Sequence, residues 1–402
     1  MPRFGPGVLV AAAFVGPGTV TTASVAGAEF GFALLWSLLF SVLATILLQE
    51  MAARLGLVTS HNLAEVLRTT FTHPAARAAV TLLVIAAIAF GNAAFETGNI
   101  VGAALALSLL TELPLAIWSL CVGAVAFALL ASGVYRIVER TLIVLVAVMS
   151  AVFLLTMMIV KPDIRALFRG LLWPSIPADS LLTIIAVIGT TVVPYNLFLH
   201  SSVVREKWKD VPVEQALKEC RVDTVASMSL GGLVTLAIVT TAATVLFARG
   251  VPIGSAAAMA QQLEPLLGAG AKYFFAIGLF CAGITSAVTA PLAAAYTVAG
   301  ILGWRRGLRD RRFQSVWAAI ILVGTLFAVL GTRPVTAIVF AQAANGLLLP
   351  VVAVFMLVVM NRRDILGTYR NRWLGNIIGV VIILFVTGLA ITQLSRITGI
   401  VG

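Results

Sequence analysis

The chain has 402 residues, of which 60% are hydrophobic and only 11% charged, with a formal net charge of +11. A soluble domain of that length needs far more charge to cover its surface, so the composition excludes a water-soluble globular protein and leaves lipid as the solvent. The basic excess alone would suit a nucleic-acid partner, and its distribution along the chain has to decide.

Apolar runs recur from end to end, each near the roughly 20 residues a helix needs to cross hydrocarbon. Eleven are predicted, near 7–29, 33–53, 78–110, 114–133, 141–160, 181–203, 224–247, 271–303, 315–331, 335–360 and 373–394. A membrane β-barrel would instead show alternating segments of about ten residues, and none occur. The prediction is an all-α integral membrane protein with no soluble domain. Two intervening stretches, SHNLAEVLRTTF (60–71) and PVEQALKECRVD (212–223), read as short amphipathic helices on one membrane face. Ser60 or Asn62 supplies an N-cap oxygen for the first.

With the N-terminus inside, the inner segments hold Arg3, three arginines at 54–77, two at 136–140, five basic residues at 205–221, five at 305–312 and four at 362–372, which is 20 of the 27. The positive-inside rule therefore places the N-terminus in the cytoplasm and the C-terminus outside, and accounts for the basicity without nucleic acid. A bacterial-type inner (plasma) membrane is the expected location. Cys121, Cys220 and Cys281 have no paired spacing and read as buried small hydrophobes rather than a disulfide or zinc framework. The first apolar segment is too long and too internally structured for a signal peptide, so it reads as the first helix. Glu29 and Glu50 sit at span ends, as do most of the tryptophans.

Span one is broken in its middle by Gly16-Pro17-Gly18-Thr19, within FVGPGTVTTA (14–23), and span six by Pro194, within VIGTTVVPYNLFLH (187–200). Proline removes a ladder hydrogen bond and clashes with the preceding turn. The offset is five spans. Paired interruptions at matching positions of two halves point to an inverted-repeat secondary transporter, with residues 1–160 and 179–361 as the repeats and 373–394 as an extra span. An odd number of spans per half inverts the second half, so the two breaks meet near mid-membrane. Backbone groups freed there cannot face lipid, where each unpaired group costs several kcal/mol, and are expected to line a water-accessible cavity.

GPGVLVAAAFVGPGTVTTASVAGAEFGFALLW (5–36), LLQEMAARLGLVTSHNLAEVLR (47–68), GTTVVPYNLFLHSS (189–202), FAIGLFCAGITSAVTAPLAAAY (275–296) and FAQAANGLLLP (340–350) together resemble the Nramp family, natural-resistance-associated macrophage proteins, which are proton-coupled divalent metal transporters. The resemblance runs through the whole chain in order. It implies the leucine-transporter-type fold, with spans 1–5 and 6–10 inverted and span 11 appended.

At the ligand positions the chain departs from the family. The family's Asp-Pro-Gly-Asn is here Gly16-Pro17-Gly18-Thr19, and its Ala-x-x-Met-Pro-His is here Thr190, Thr191, Val192, Val193, Pro194 and Tyr195. Carboxylate, amide, thioether and imidazole are all replaced. Thr19, Thr190, Thr191, Tyr195, Asn196 and backbone carbonyls remain, a neutral set. Gln342 matches a metal-site Gln of the family, and Asn345 lies one turn further on. The candidate substrate site is thus Gly16, Thr19, Thr190, Val193, Tyr195, Asn196, Gln342 and Asn345; a metal would use Thr19 and Gln342 with the carbonyls of Gly16 and Val193. Gln and Asn also hold membrane helices together without any substrate.

The same alignment puts Glu96 where the family has a proton-pathway Asp, and Asn99 where it has a Glu. An ionisable group inside a span is expensive and points to function; without a cation nearby, a buried carboxyl keeps its proton. His200 lies four residues after Asn196, on the same helix face, and matches a family His associated with the proton route. A packing role is the bland reading of both.

The function expected is secondary transport of a cation by alternating access, with proton coupling through Glu96 and His200 and no cofactor. A divalent metal fits best, and the neutral donor set suits hydrated magnesium over dehydrated manganese or iron. The competing readings are a small polar or zwitterionic solute on the same fold, and a non-transporting sensor or scaffold. An enzyme is not expected, since no nucleophile, base and orienting acid converge. The chain is expected to act as a monomer.

Overall fold

The structure, a computed structural model, describes residues 15–111, 113–132, 135–304, 310–331 and 333–397. The first half of predicted span one, residues 7–14, lies outside them, as do Arg3, Arg305, Arg306 and Arg309. Among the described residues every element is helical: α1 (Pro17–Phe30), α2 (Leu35–Thr59), α3 (Leu63–Thr70), α4 (Pro74–Thr111), α5 (Leu115–Ser132), α6 (Tyr135–Ile159), α7 (Ile164–Leu172), α8 (Leu181–Thr191), α9 (Pro194–Lys207), α10 (Val213–Val245), α11 (Ala256–Ala260), α12 (Glu264–Leu267), α13 (Ala271–Leu302), α14 (Arg311–Leu330), α15 (Pro334–Met360), α16 (Arg363–Leu366) and α17 (Trp373–Ile397), with short 3-10 turns between some of them. Nine of the described helical segments are long and apolar enough to cross a bilayer, counting α8 and α9 as one. Helices also occupy the other two predicted spans, α1 for the second half of span one and α6 for span five.

The element ends follow local chemistry. Asn62 caps α3 through a capping box: its side chain accepts from the Glu65 N–H at 2.8 Å, and the Glu65 carboxylate accepts from the Asn62 N–H at 2.9 Å. That pair satisfies two of the helix's free donors, and settles the cap on Asn62. Asp163 and Asp310 cap α7 and α14 more simply, each carboxylate accepting from the N–H groups two and three residues on, with no reciprocal bond. Predicted helix 212–223 is not separate. It runs into span seven as one helix of 33 residues, α10, because no Gly or Pro falls between Val213 and Leu230 to end it.

Pro291 and Pro350 lie inside α13 and α15 without ending them, as membrane helices tolerate. Pro194 does end a helix. The residue before a proline is pushed out of the α region, and Val193 is extended at φ −80°, ψ 119°, with Val192 at φ −96°, ψ 74°. Two consecutive non-helical residues separate α8 from α9.

Around this break α15 packs on α4 and α8, α1 packs on α10, α8 and α4, and α13 lies along α4. These helices form the buried centre. The outer helices α5, α14 and α17 carry exposed apolar side chains such as Leu120, Leu322 and Leu384, the surface that a bilayer covers. Cys121, expected to be buried, lies on that exposed face of α5; Cys220 and Cys281 are buried, and all three are free thiols.

Candidate functional site

The start of α1 and the break between α8 and α9 meet. Gly16 is extended (φ −95°, ψ −175°) and caps α1, whose first residue is Pro17, the position where a missing N–H costs nothing. The Thr19 hydroxyl lies 2.7 Å from that of Thr190, in the last turn of α8, although 171 residues separate them in the chain. This one bond joins the first turn of α1 to the N-terminal side of the α8–α9 break.

Gln342, from the middle of α15, completes the junction. Both its Oε1 and its Nε2 are buried without a hydrogen-bond partner, and the amide lies against the backbone of Gly18, where a Cβ would overlap it. The same amide nitrogen lies 3.4 Å from where Gly98 on α4 would carry a Cβ. Glycines on two helices thus leave the volume that the amide fills. The backbones of α8 and α15 also approach closely: a Cβ on Gly189 would overlap the Gln342 carbonyl and come within 2.5 Å of the Gly346 nitrogen.

The other predicted residues divide. Asn196 is buried with its Oδ1 unpartnered, and Asn345 with its Nδ2 unpartnered; Asn345 faces Gly91 of α4. Tyr195 packs edge-on against Phe95, with centroids 5.5 Å apart. The Thr191 hydroxyl turns back to the Val187 carbonyl at 2.9 Å, so it is spent on its own helix. The Gly16 and Val193 carbonyls accept from the Val20 and Asn196 N–H groups, each at 3.1 Å; each oxygen has a second lone pair.

Thr19, Thr190, Val193, Tyr195, Asn196, Gln342 and Asn345 are at most 2% exposed, and Gly16, Pro17, Gly18 and Pro194 are buried. The water-accessible cavity expected at the breaks is not open in this conformation. The hydroxyls satisfy one another and the small residues let the helices close over them.

Glu96 is fully buried on α4. Its Oε2 accepts from Asn99 Nδ2 at 3.3 Å, its Oε1 has no partner, and its stem packs on Gly324 of α14. His200, also buried, has Nδ1 2.9 Å from Gln49 Oε1 on α2, while Nε2 has no partner. With the amide oxygen accepting, Nδ1 carries the hydrogen. The hydrogen bonds of Glu96 and His200 go to different helices.

Sequence reading missed Gln49. It also missed Gln262, between α11 and α12, which donates to Ser24 Oγ at 2.8 Å and accepts from Thr241 Oγ1 at 3.2 Å. That wholly buried amide ties the segment after α10 to the middle of α1 and to α10. A usable signal did exist for the junction itself: Gly98 and Gly102 on α4 form a small-xxx-small pair, the pattern of close helix approach, and Gly102 lies against Pro17.

The start of α1 buried against the interrupted α8–α9 pair, in a bundle whose described elements are all helical, defines a polytopic membrane protein of the broken-helix transporter architecture. The profile of the Natural resistance-associated macrophage protein-like family matches residues 7–396. The chain is 31% identical to the divalent metal cation transporter MntH of Acidiphilium cryptum, over 98% of this chain and 90% of that one. It is 33% identical to the MntH of Bradyrhizobium diazoefficiens, over 91% and 82%. Among solved structures, a manganese transporter of Eremococcus coleocola superposes with a TM-score of 0.77 at 22% identity, covering 98% of this chain and 86% of that one. Mhp1, a nucleobase-cation-symport-1 family transporter, superposes in a closed conformation at 0.58 and 15% identity, over 98% and 93%. The chain belongs to the Nramp family, whose members are membrane transporters and not enzymes.

Proposed function

We propose that the protein is a secondary transporter that carries a divalent cation across the plasma membrane by alternating access. Membership of the Nramp family and the names of its metal-transporting relatives support the class of cargo. The observation that carries the reading is the Thr19–Thr190 hydroxyl pair beside the unpaired Gln342 amide, which gathers donors from three helices with no formal charge among them.

In this reading the cation enters by opening the Thr19–Thr190 bond. Thr19, Gln342 and the second lone pairs of the Gly16 and Val193 carbonyls face it, with Thr190, Tyr195, Asn196 and Asn345 around them. Neutral oxygens stabilise a hard ion that keeps its water shell, and magnesium dehydrates reluctantly. Manganese or iron stripped of water draws carboxylate, imidazole or thioether ligands, and the break supplies none. Magnesium-like cargo is therefore the specific proposal. The repeats are residues 1–160 and 179–361, the N-terminus lies in the cytoplasm, and a single chain suffices. Glu96 and His200, each buried with one polar atom unpartnered, are the groups that carry a proton if transport is coupled.

Uptake by purified protein in proteoliposomes tests this, with magnesium and manganese as cargo and a pH-sensitive dye inside. Magnesium uptake that falls at least tenfold in Gln342→Ala supports the site, and acidification lost in Glu96→Gln supports coupling. Absence of uptake for both metals overturns the cargo. The unpaired amides of Gln342, Asn196 and Asn345 also suit a small polar or zwitterionic solute, and calorimetry with magnesium separates that second reading by the absence of binding heat.

A further inference from the structure

Away from the helix breaks, α2, α10, α17 and the linker before α17 enclose a groove of about 880 Å³. Its wall is apolar and open sideways: Leu43, Val225, Leu374 and Ile378 line it and are 59%, 42%, 53% and 41% exposed. Its rim is basic. Five basic residues line it against two acids, and one of the acids, Glu50, is already held by Arg54 at 3.0 Å and Arg221 at 2.9 Å. Glu214 is the other. Lys218, Arg370 and Arg372 are exposed, and among the described residues none of the three side chains has a hydrogen bond or ion pair. Trp373, 73% exposed beside Arg372, marks the level of the membrane–water boundary.

We propose that this groove is a binding site for an anionic phospholipid, with an acyl chain against the α2, α10 and α17 wall and the phosphate among Lys218, Arg370 and Arg372. The walls belong to membrane-spanning helices, so an occupant reaches them from within the bilayer. The unpaired cations sit at headgroup level, where basic pockets between spans hold anionic headgroups. A soluble anion has no use for the apolar wall, and a zwitterionic lipid leaves the rim charge uncompensated. The proposal does not depend on the cargo.

Native mass spectrometry of the full chain in mild detergent tests it, with phosphatidylglycerol or phosphatidylcholine added. The expected result is one retained phosphatidylglycerol per chain and no retained phosphatidylcholine. Combining Lys218→Gln, Arg370→Gln and Arg372→Gln is expected to weaken retention on the order of 100-fold, from the attraction each basic residue contributes near an anionic surface. Gly375→Trp keeps every charge and fills the groove. A Cβ there meets nothing nearer than 3.7 Å, so this variant is expected to fold and also to lose the lipid. Equal retention of both lipids, unchanged retention in either variant with normal thermal unfolding, or full displacement by glycerol 3-phosphate alone overturns the proposal.

Discussion

Substituting Gly18 by Ala adds one methyl group at the most closely packed point of the site. The new Cβ would overlap Nε2 and Cδ of Gln342 and lie 2.9 Å from its Oε1. Ordinary contact requires the amide to retreat by roughly 1 Å, and overpacking of this kind costs about 1–3 kcal/mol. Gln342 has three side-chain torsions, so it can swing away and the variant is expected to fold. In a Gln342→Ala background the obstacle is gone. Gly18→Ala there is expected to be neutral or to stabilise by about 0.5–1 kcal/mol, since alanine favours the helix. The double-mutant cycle should therefore show a coupling of about 2 kcal/mol. Denaturant unfolding of the four proteins in one detergent measures it, and cargo uptake should fall in Gly18→Ala as the amide leaves the junction. Strictly additive stabilities, or full uptake in Gly18→Ala, would refute the placement of Gln342 against Gly18.

Gly189→Ala should be worse tolerated than Gly18→Ala, because the atoms in its way are the backbone of Gln342 and Gly346; a loss above about 3 kcal/mol, seen as poor yield and aggregation on size exclusion, is expected. Gly16→Asp combined with Thr19→Asn places a carboxylate and an amide at the first break, and isothermal calorimetry should then detect manganese binding absent from the parent; a folded variant that ignores manganese counts against the alignment of site residues. Asn62→Ala removes the capping box of α3 and the 3.2 Å bond to Ser202, with an expected cost of about 1–2 kcal/mol by chemical denaturation. Glu50→Gln releases Arg54 and Arg221 together; Arg54 keeps its bonds to the Tyr369 carbonyl and Asn371 at 2.8 Å, so the loss should stay within about 1–3 kcal/mol and shrink at high salt.

The breaks were legible because proline and glycine act on their own backbone. Pro194 forces Val193 out of the helix whatever surrounds it, and Gly16-Pro17 starts α1 where the sequence places it. The cap at Asn62 and the apolar lengths of the spans are equally local. Side-chain partners were not legible in the same way. His200 could be placed on the face of Asn196 by spacing, but nothing in spacing assigns Gln49 to it. The same holds for Gln262, which reads as a loop residue and is wholly buried against Ser24 and Thr241.

By itself, then, the amino-acid order determined that the chain lives in lipid, that its described elements are helices, that one of them starts at Gly16-Pro17 and that another is interrupted before Pro194. Only the folded arrangement decided that Thr19 meets Thr190, that Gln342 occupies the space left by Gly18 and Gly98, and that the junction is closed to solvent. The difference has a physical cause. In water, the polar stripe of a helix reveals which face is buried; in a bilayer the lipid-facing and the packed faces are both apolar, so the rotation of each helix about its axis is set by close packing and by buried hydrogen bonds between residues far apart in sequence.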